Sequence, residues 1–271
     1  MPRDRMAVLG IDAAWTDHEP SGVALVERVD SGWVCRRVSC SYEAFVEPGS
    51  PGLATNVPSL IATCRSLVTD SYLSAVAIDM PLARSNIAKR RTADDAVSRR
   101  FGHCWASTHT PNVDRPGATG RRLMTAFEEE GFSLMTGGTS PPLALIEVYP
   151  HVALLGLMSV EHRLPYKVSR AHKYWPDAMP SQRKVLLVEQ WRAILDHLAK
   201  EVDNVDLALP QAPEAATVSE LKAIEDALDA VICAWVGACF LSDDAVPLGS
   251  HDCAIWVPRS AMTFARSPDA R

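Results

Sequence analysis

The sequence lacks a membrane-spanning run, a cysteine framework and a secretion signal. Its longest apolar run, residues 230–241, is only about 12 residues, whereas a helix that crosses a bilayer needs roughly 20. The seven cysteines include no CxxC pair and no spacing typical of zinc sites. The apolar stretch near the amino terminus is soon interrupted by Asp12, which does not fit a signal peptide. These absences lead us to expect a cytoplasmic protein with reduced thiols and no membrane contact.

Positive charge is also scarce overall, although it is concentrated in one segment. The formal net charge is -6 at pH 7, which by itself does not suggest a nucleic-acid partner, since phosphates attract positive surfaces. Residues 84–122, however, carry nine basic side chains against three aspartates, so this segment is locally +6. A length of 271 residues with 47% hydrophobic residues favours one large globular domain. We therefore expect a single domain over residues 1–271, with a basic insertion around residues 84–140.

The apolar pattern predicts a mixed sheet with helices between its strands. Runs at residues 6–11, 22–29 and 33–39 are separated by turn-forming residues, which is typical of three antiparallel strands. A helix predicted over residues 58–70 leads into a buried strand over residues 74–78, so this fourth strand should lie parallel in the same sheet. Further predicted elements are helices at residues 87–101, 121–130, 182–201 and from Thr217 onward, strands at residues 143–149 and 254–257, and loops at residues 47–52 and 102–120.

Two aspartates end buried strands at positions where a sheet opens to solvent. Asp12 follows the first strand and Asp79 follows the fourth. Glu147 lies between Ile146 and Val148, so alternation places its side chain on the opposite face of its strand from these apolar neighbours. Burying an unpaired carboxylate costs several kcal/mol, so each should have a partner. A metal ion is one such partner; a capped turn, a nearby arginine or, for Glu147, a solvated strand face are the alternatives.

The helix predicted from Thr217 carries three acidic side chains on one flank. Glu225, Asp226 and Asp229 fall within a sector of about 100° beside the buried stripe. They lie well past the amino-terminal end of the helix, where its dipole no longer stabilises negative charge. A cation between this helix and the sheet would relieve their repulsion, whereas a solvated helix flank would need none.

Carboxylate ligands and nearby cations together suggest phosphate chemistry. Mg²⁺ and Mn²⁺ prefer carboxylate oxygens, and two such ions about 4 Å apart suit phosphodiester hydrolysis. Basic residues could hold the phosphates, although a merely solvated basic surface is the alternative for any one of them. The candidates for phosphate contact are Lys89, Arg90, Arg91, Arg99 and Lys167, and those for stacking or proton transfer are His103, Trp105 and His109.

Four short motifs follow one another along the chain. They are GIDAAW at residues 10–15, AIDMP at 77–81, EVYPH at 147–151 and EDALDAVICA at 225–234. Together they resemble the domain-of-unknown-function family numbered 429, often described as predicted nucleases of ribonuclease H fold, and the resemblance spans residues 7–258. It implies an α/β fold with a ribonuclease H-like mixed sheet, in which three antiparallel strands are followed by parallel strands and helices flank the sheet.

The resemblance also implies a metal site and a reaction. In the wider superfamily, acids on the first strand, the fourth strand and a carboxy-terminal helix coordinate metal, and these positions match Asp12, Asp79 and Asp229, with Asp226 as companion. Glu147 belongs to the family's own motif. The implied function is metal-dependent hydrolysis of nucleic acid, DNA or RNA being open. Asp12, Asp79, Glu147 and Asp229 would be catalytic, and Mg²⁺ or Mn²⁺ would be the cofactor.

Two other functions remain open at this point. A non-catalytic module that binds nucleic acid or protein on the same fold would agree with the overall acidity. An actin-like or sugar-kinase phosphotransferase also opens with a Gly-Ile-Asp strand and a hairpin. Such kinases usually duplicate the fold and carry glycine-rich phosphate loops, whereas this chain is too short for two copies and offers only Gly137 and Gly138.

Overall fold

The computed structural model describes residues 5–16, 19–47, 56–138 and 142–267. Within these ranges the fold is built around one sheet of eight strands. The strand order is β3-β2-β1-β4-β6-β8-β7, with β5 paired to β6. Strands β1, β2 and β3 are antiparallel, β4, β6 and β8 run parallel to β1, and β7 is an antiparallel edge. The strands are β1 Met6–Asp12, β2 Gly22–Val29, β3 Gly32–Ser39, β4 Tyr72–Asp79, β5 Ser133–Leu134, β6 Ala144–Val148, β7 Ala245–Gly249 and β8 Ala254–Pro258.

Helices cover both faces of this sheet. One face packs against the longest helix, α8, with α7 behind it, and the other face packs against α2 and α4. Four short 3₁₀ segments, at Gly102–Cys104, Val168–Arg170, Pro213–Ala215 and Arg259–Phe264, connect the elements. The helices are α1 Tyr42–Val46, α2 Val57–Leu67, α3 Thr92–Phe101, α4 Thr119–Glu129, α5 Pro150–Met158, α6 Ala171–Tyr174, α7 Pro180–Leu198 and α8 Val218–Leu241.

Helix α8 lies unusually close to the sheet because two strand residues have no side chain. A Cβ atom on Gly10 would lie 2.2 Å from the carbonyl oxygen of Ala230, and one on Gly22 would lie 1.9 Å from that of Asp226. Only glycine permits such an approach of backbone to backbone. The predicted capping box is present, since Thr217 and Glu220 cap each other at the start of the helix. The acidic residues of α8 are thereby fixed against the ends of β1 and β2.

The structure confirms the mixed α/β fold expected from the sequence, a sheet of antiparallel then parallel strands flanked by helices, which is consistent with a ribonuclease H-like fold. Several elements differ, and the short elements α1, β5 and α6 were not predicted. Pro150 does not simply close a strand; it occupies the first turn of α5, where its missing N–H is harmless. The edge strand β7 was not predicted, and the helix expected over residues 87–101 begins only at Thr92 because Arg91 is still extended.

Parts of the sequence reading extend beyond what the structure describes. The loop predicted at residues 47–52 lies outside the described residues except for Glu47, and the single domain over residues 1–271 stays a prediction. Within the described ranges, no helix is long and apolar enough to cross a membrane.

Candidate carboxylate–lysine site

Two aspartates meet at the carboxyl ends of neighbouring parallel strands. Asp12 and Asp79 are register partners at the ends of β1 and β4. Gly10 and Ala77, two residues earlier on each strand, face α8, so alternation directs Asp12 and Asp79 toward the same helix. The two predicted ligands therefore share one face of the sheet, as the sequence reading requires.

Glu147 occupies the other face. Its register partner on β4 is Ile78, which packs in the core on the α2 and α4 side. Because aligned residues of parallel strands point the same way, the carboxylate of Glu147 is separated from those of Asp12 and Asp79 by the sheet itself. The structure thus divides the predicted catalytic residues into two groups.

Helix α8 brings three more carboxylates to the first group. Glu225, Asp226 and Asp229 retain 1%, 5% and 0% of their exposed area. They do not form the solvated helix flank that the sequence left open. Asp12 and Asp226 are close enough to interact, since the neighbouring charge of Asp226 contributes, after burial, to raising the pKa of Asp12. The helix and the sheet edge therefore build one acidic cluster, consisting of Asp12, Asp79, Glu225, Asp226 and Asp229.

Two lysines and a tyrosine pair with this cluster. Lys167 contacts Asp229 and also lies 3.2 Å from an oxygen of Glu225. Lys222 contacts Asp226 and lies 3.3 Å from Glu225. The hydroxyl of Tyr166 donates to Asp229 at 2.8 Å. Each ammonium group thus bridges two carboxylates of α8.

Burial and crowding raise the pKa values of the aspartates. Burial raises the pKa of Asp12 to about 7, with the ammonium of Lys167 acting in the opposite direction. Burial likewise raises the pKa of Asp229 to about 6, again opposed by Lys167. The pKa of Asp79 lies well above its ordinary value because of burial and of the neighbouring charge of Asp12. Without a further cation, part of this cluster therefore carries protons near neutral pH.

The donor set fits a hard divalent ion in its chemistry but is not closed around one. Five carboxylates face two ammonium groups, and all the candidate ligand atoms are oxygens. Among the described residues, no three histidine, cysteine or acidic side chains are spaced as metal ligands. Lys167 and Lys222 occupy the positions between the carboxylates. The side chain of Lys222 is 46% exposed, so it is the ammonium group that can leave most easily.

Glu147 has its own partner on the opposite face. Arg91 donates to both its carboxylate oxygens, at 2.6 and 2.7 Å, and also to Asp94 and to the carbonyl of Leu82. The N–H of Leu82 donates to Glu147 at 2.8 Å. This buried network holds the backbone three residues after Asp79 by both its N–H and its C=O. A metal ligand role for Glu147 would require this pair to break.

The cations predicted to contact phosphate are dispersed. Arg91 is buried, and all five of its N–H groups are used, which corrects its expected place on a phosphate-binding surface. Arg90 bonds to Asp95, Ser98 and other groups on or beside α3. Lys89 and Arg99 are exposed, and of the predicted set Lys167 is the one that reaches the acidic cluster.

An open cleft of about 590 Å³ gives access to the cluster. Asp12, Glu19 and Asp226 contribute its acidic part, and Arg115, which lies 5.9 Å from the centre of the Trp15 ring, contributes to its basic rim. Sequence reasoning missed Lys222, although its helical spacing of four residues to Asp226 is a readable signal. No local sequence pattern predicts that Tyr166 contacts Asp229. The cleft is also lined by Ala13, Ala14, Pro20, His109, Thr110, Asn112, Lys167, Ser169 and Lys222.

The fold and the cluster together define a class. A mixed sheet with aspartates at the ends of its first and fourth strands, covered by a helix carrying further aspartates, is consistent with a ribonuclease H-like fold. The chain matches the model of the family described as "Protein of unknown function (DUF429)" over residues 10–252, and it belongs to that family. No curated protein and no solved structure matches the chain.

Proposed function

We propose that the protein is a metal-dependent phosphodiesterase that acts on nucleic acid. Its Mg²⁺ or Mn²⁺ would be held by Asp12, Asp79, Asp226 and Asp229. One observation carries the proposal: four aspartates from three elements converge in one cluster, two of them lining the cleft, with more negative charge than the adjacent lysines neutralise. Such a convergence costs stability in the absence of a cation, which is typical of a functional site.

The protonation of the cluster supports a divalent ion. The raised pKa values of Asp12 and Asp229 indicate that the lysines do not fully neutralise the ionised cluster, which therefore binds protons more readily than exposed carboxylates do. A divalent ion would replace those protons, since ligating carboxylates must be ionised. When bound, the ion would stabilise the negative charge that develops on a phosphodiester under attack by water.

The chain's own cations would then act on the substrate. Lys222 is partly exposed, lines the cleft and could turn from Asp226 to a phosphate oxygen once the ion neutralises the cluster. Arg115 lines the same cleft and could hold a second phosphate. Burial and three nearby arginines lower the pKa of His109, so its ring is neutral at pH 7 and able to accept a proton.

Glu147 receives a positioning role in this proposal. Through Leu82 it fixes the turn that follows Asp79, and Arg91 neutralises its charge. The catalytic role predicted for Glu147 from its motif would therefore be indirect, since it would orient a ligand instead of binding the ion.

A cleavage assay tests the proposal. Purified protein with Mn²⁺ or Mg²⁺ is incubated with single-stranded, duplex, hybrid and branched nucleic acids, and we expect cleavage of at least one. Asp12→Asn should abolish it, while Asp206→Asn, an exposed substitution outside the cluster, should leave it unchanged. Absence of cleavage by the wild type across the panel, or full activity of Asp12→Asn, would contradict the proposal.

A second candidate is a non-catalytic binding module. It is favoured by one observation, that Lys167 and Lys222 between them pair with Glu225, Asp226 and Asp229, the three residues that α8 adds to the acidic cluster. Under this alternative the lysines are permanent partners and the cleft only binds its ligand. Binding of nucleic acid that survives Asp12→Asn, with no cleavage by the wild type, would support it.

A further inference from the structure

An exposed aromatic pair lies outside the acidic cluster. Trp105 is 68% exposed, more than any other large apolar side chain in the described ranges. Its ring packs against that of His162, with the ring centres 4.4 Å apart and an angle of 40° between the planes. The N–H of Arg163 donates to the carbonyl of Cys104 at 2.8 Å, which joins the two loops that carry the pair. One face of the indole is therefore open to solvent, while the contact with His162 and the hydrogen bond between the two loops hold the ring in place.

The backbone of Trp105 is held in a conformation that bulky residues rarely adopt. Its φ is 61°, in the left-handed region, and its N–H donates to the carbonyl of Gly102 at 3.0 Å as the chain leaves a 3₁₀ turn. For a residue with a large side chain, this conformation is less favourable than an ordinary one, because the Cβ atom approaches the following carbonyl oxygen. The local structure therefore keeps an apolar ring in solvent at a cost, and packing of that ring in the core does not account for it.

The pair is connected to the cleft by a short, anchored segment. His109, which lines the cleft, follows Trp105 by four residues, so their Cα atoms are at most about 14 Å apart. Midway between them, the carbonyl of Ser107 accepts a hydrogen bond of 2.9 Å from the hydroxyl of Tyr149, directly after β6. Trp105 is thus tied to the same edge of the sheet as the acidic cluster.

Unpaired guanidinium groups accompany this segment. Within the described residues, Arg115, Arg163 and Arg170 make no ion pair, although the protein as a whole is acidic. The Nε of Arg163 is buried without a hydrogen-bond partner. All three arginines act on His109, whose pKa is lowered by burial and then by their charges. A ligand with several negative charges would complement this surface.

We propose that the Trp105–His162 pair and the adjoining Arg163 and Arg170 form a binding track for single-stranded nucleic acid, with a base stacked on Trp105. The inference rests on the proposed function, which supplies nucleic acid as the substrate. Aromatic faces and positive charge are what single strands require, because every unpaired base has a stacking face and every phosphate a charge. Bases in a duplex are already stacked, so the open face of Trp105 selects against duplex.

Binding without cleavage tests the track. A fluorescein-labelled oligothymidylate of about 10 nucleotides, within the range of sites that stacking platforms cover, is titrated with protein in EDTA and followed by anisotropy. Trp105→Ala should weaken binding by about fivefold or more, and Trp105→Phe should restore most of it, since phenylalanine keeps a stacking face. Tyr72→Ala is the matched control, because Tyr72 is also exposed, at 43%, but starts β4 at the opposite edge of the sheet.

The arginines are tested by the salt dependence. Arg163→Gln and Arg170→Gln should each lower the slope of log affinity against log salt by about 0.7, the value for one phosphate contact with a single strand. Lys200→Ala, an exposed change just past α7, should leave the slope unchanged. Thermal melting of each variant verifies that it is folded.

The outcomes separate this inference from the proposed function. Binding by wild type that is equal for Trp105→Ala, equal for duplex and single strand, or absent altogether would overturn the track, whatever the cleavage assay gives. Tight, Trp105-dependent binding of the single strand in EDTA would support it even if Mn²⁺ never produced cleavage, in which case only the hydrolytic proposal would fail.

Discussion

Replacement of Arg91 by methionine should destabilise the protein severely. The guanidinium contacts Glu147, Asp94 and the carbonyl of Leu82 with all five N–H groups, and its side chain is 5% exposed. Methionine matches much of the volume but leaves two buried carboxylates without their cation. Removing one partner from a buried ion pair costs about 3–5 kcal/mol, which is a large part of the 5–15 kcal/mol that stabilises a typical domain.

A double variant with Glu147→Gln tests whether the charge left on Glu147 causes the loss of stability. Burial already raises the pKa of Glu147 although Arg91 opposes the shift, so the carboxylate would be strongly disfavoured alone. Glu147→Gln removes the stranded charge. Arg91→Met combined with Glu147→Gln should therefore cost less than the sum of the single changes, by about 0.5–3 kcal/mol of coupling.

Urea unfolding at pH 7, followed by circular dichroism, measures these free energies. Arg99→Met is the matched control, since Arg99 is on α3, the helix that Arg91 directly precedes, but is exposed, with a single contact of 3.4 Å to the carbonyl of Asp95. It should change stability by less than about 0.5 kcal/mol. A cost for Arg91→Met as small as that of Arg99→Met, or strict additivity with Glu147→Gln, would refute the account of the network.

Three further results are expected. Gly22→Ala should lower the free energy of unfolding in urea by about 1–3 kcal/mol or more, because the new Cβ atom would meet the backbone of Asp226. Gly32→Ala is the control and should be nearly neutral, since its Cβ atom would have nothing within 4 Å. Equal effects of the two substitutions would contradict the close packing of α8 against β2. The raised pKa of Asp12 means that the metal-free folded state binds a proton more tightly than the unfolded chain. The free energy of unfolding of the metal-free protein should therefore fall as pH rises from about 4 to about 7, and excess Mg²⁺ should reduce this dependence on pH. A free energy of unfolding that rises over this range would contradict the raised pKa of Asp12. Lys222→Met removes a competing charge and should strengthen Mn²⁺ binding by about tenfold in calorimetry, while the exposed Lys173→Met should not; weaker binding would contradict the proposed exchange of ammonium for metal.

Most of the fold could be predicted because its pattern is local. The strands before Asp12 and Asp79 are apolar runs closed by turn residues, and α8 has a capping box at Thr217. Helix α5 was not predicted because its own residues are apolar on nearly every side, so its sequence shows no periodic apolar stripe. Its first residue, Pro150, was interpreted as the end of a strand. The edge strand β7 was not predicted because it is short and contains Pro247, a residue that is disfavoured in strands.

The site was partly predictable for a different reason. Strand ends and helix spacing locate Asp12, Asp79, Asp226 and Asp229, because those relations follow from backbone geometry alone. The pairing of Glu147 with Arg91 joins residues 56 positions apart and depends on the register of β6 against β4, which no local pattern encodes. A motif can thus mark a buried ion pair as readily as a catalytic carboxylate.

Anomalous diffraction from crystals soaked in Mn²⁺ shows whether the acidic cluster holds a divalent ion. We expect a peak bounded by Asp12, Asp79, Asp226 and Asp229, with Lys222 displaced from Asp226 and the Arg91–Glu147 pair intact on the other face of the sheet. No peak at this cluster, with Lys167 and Lys222 still bridging the carboxylates of α8, would contradict this expectation.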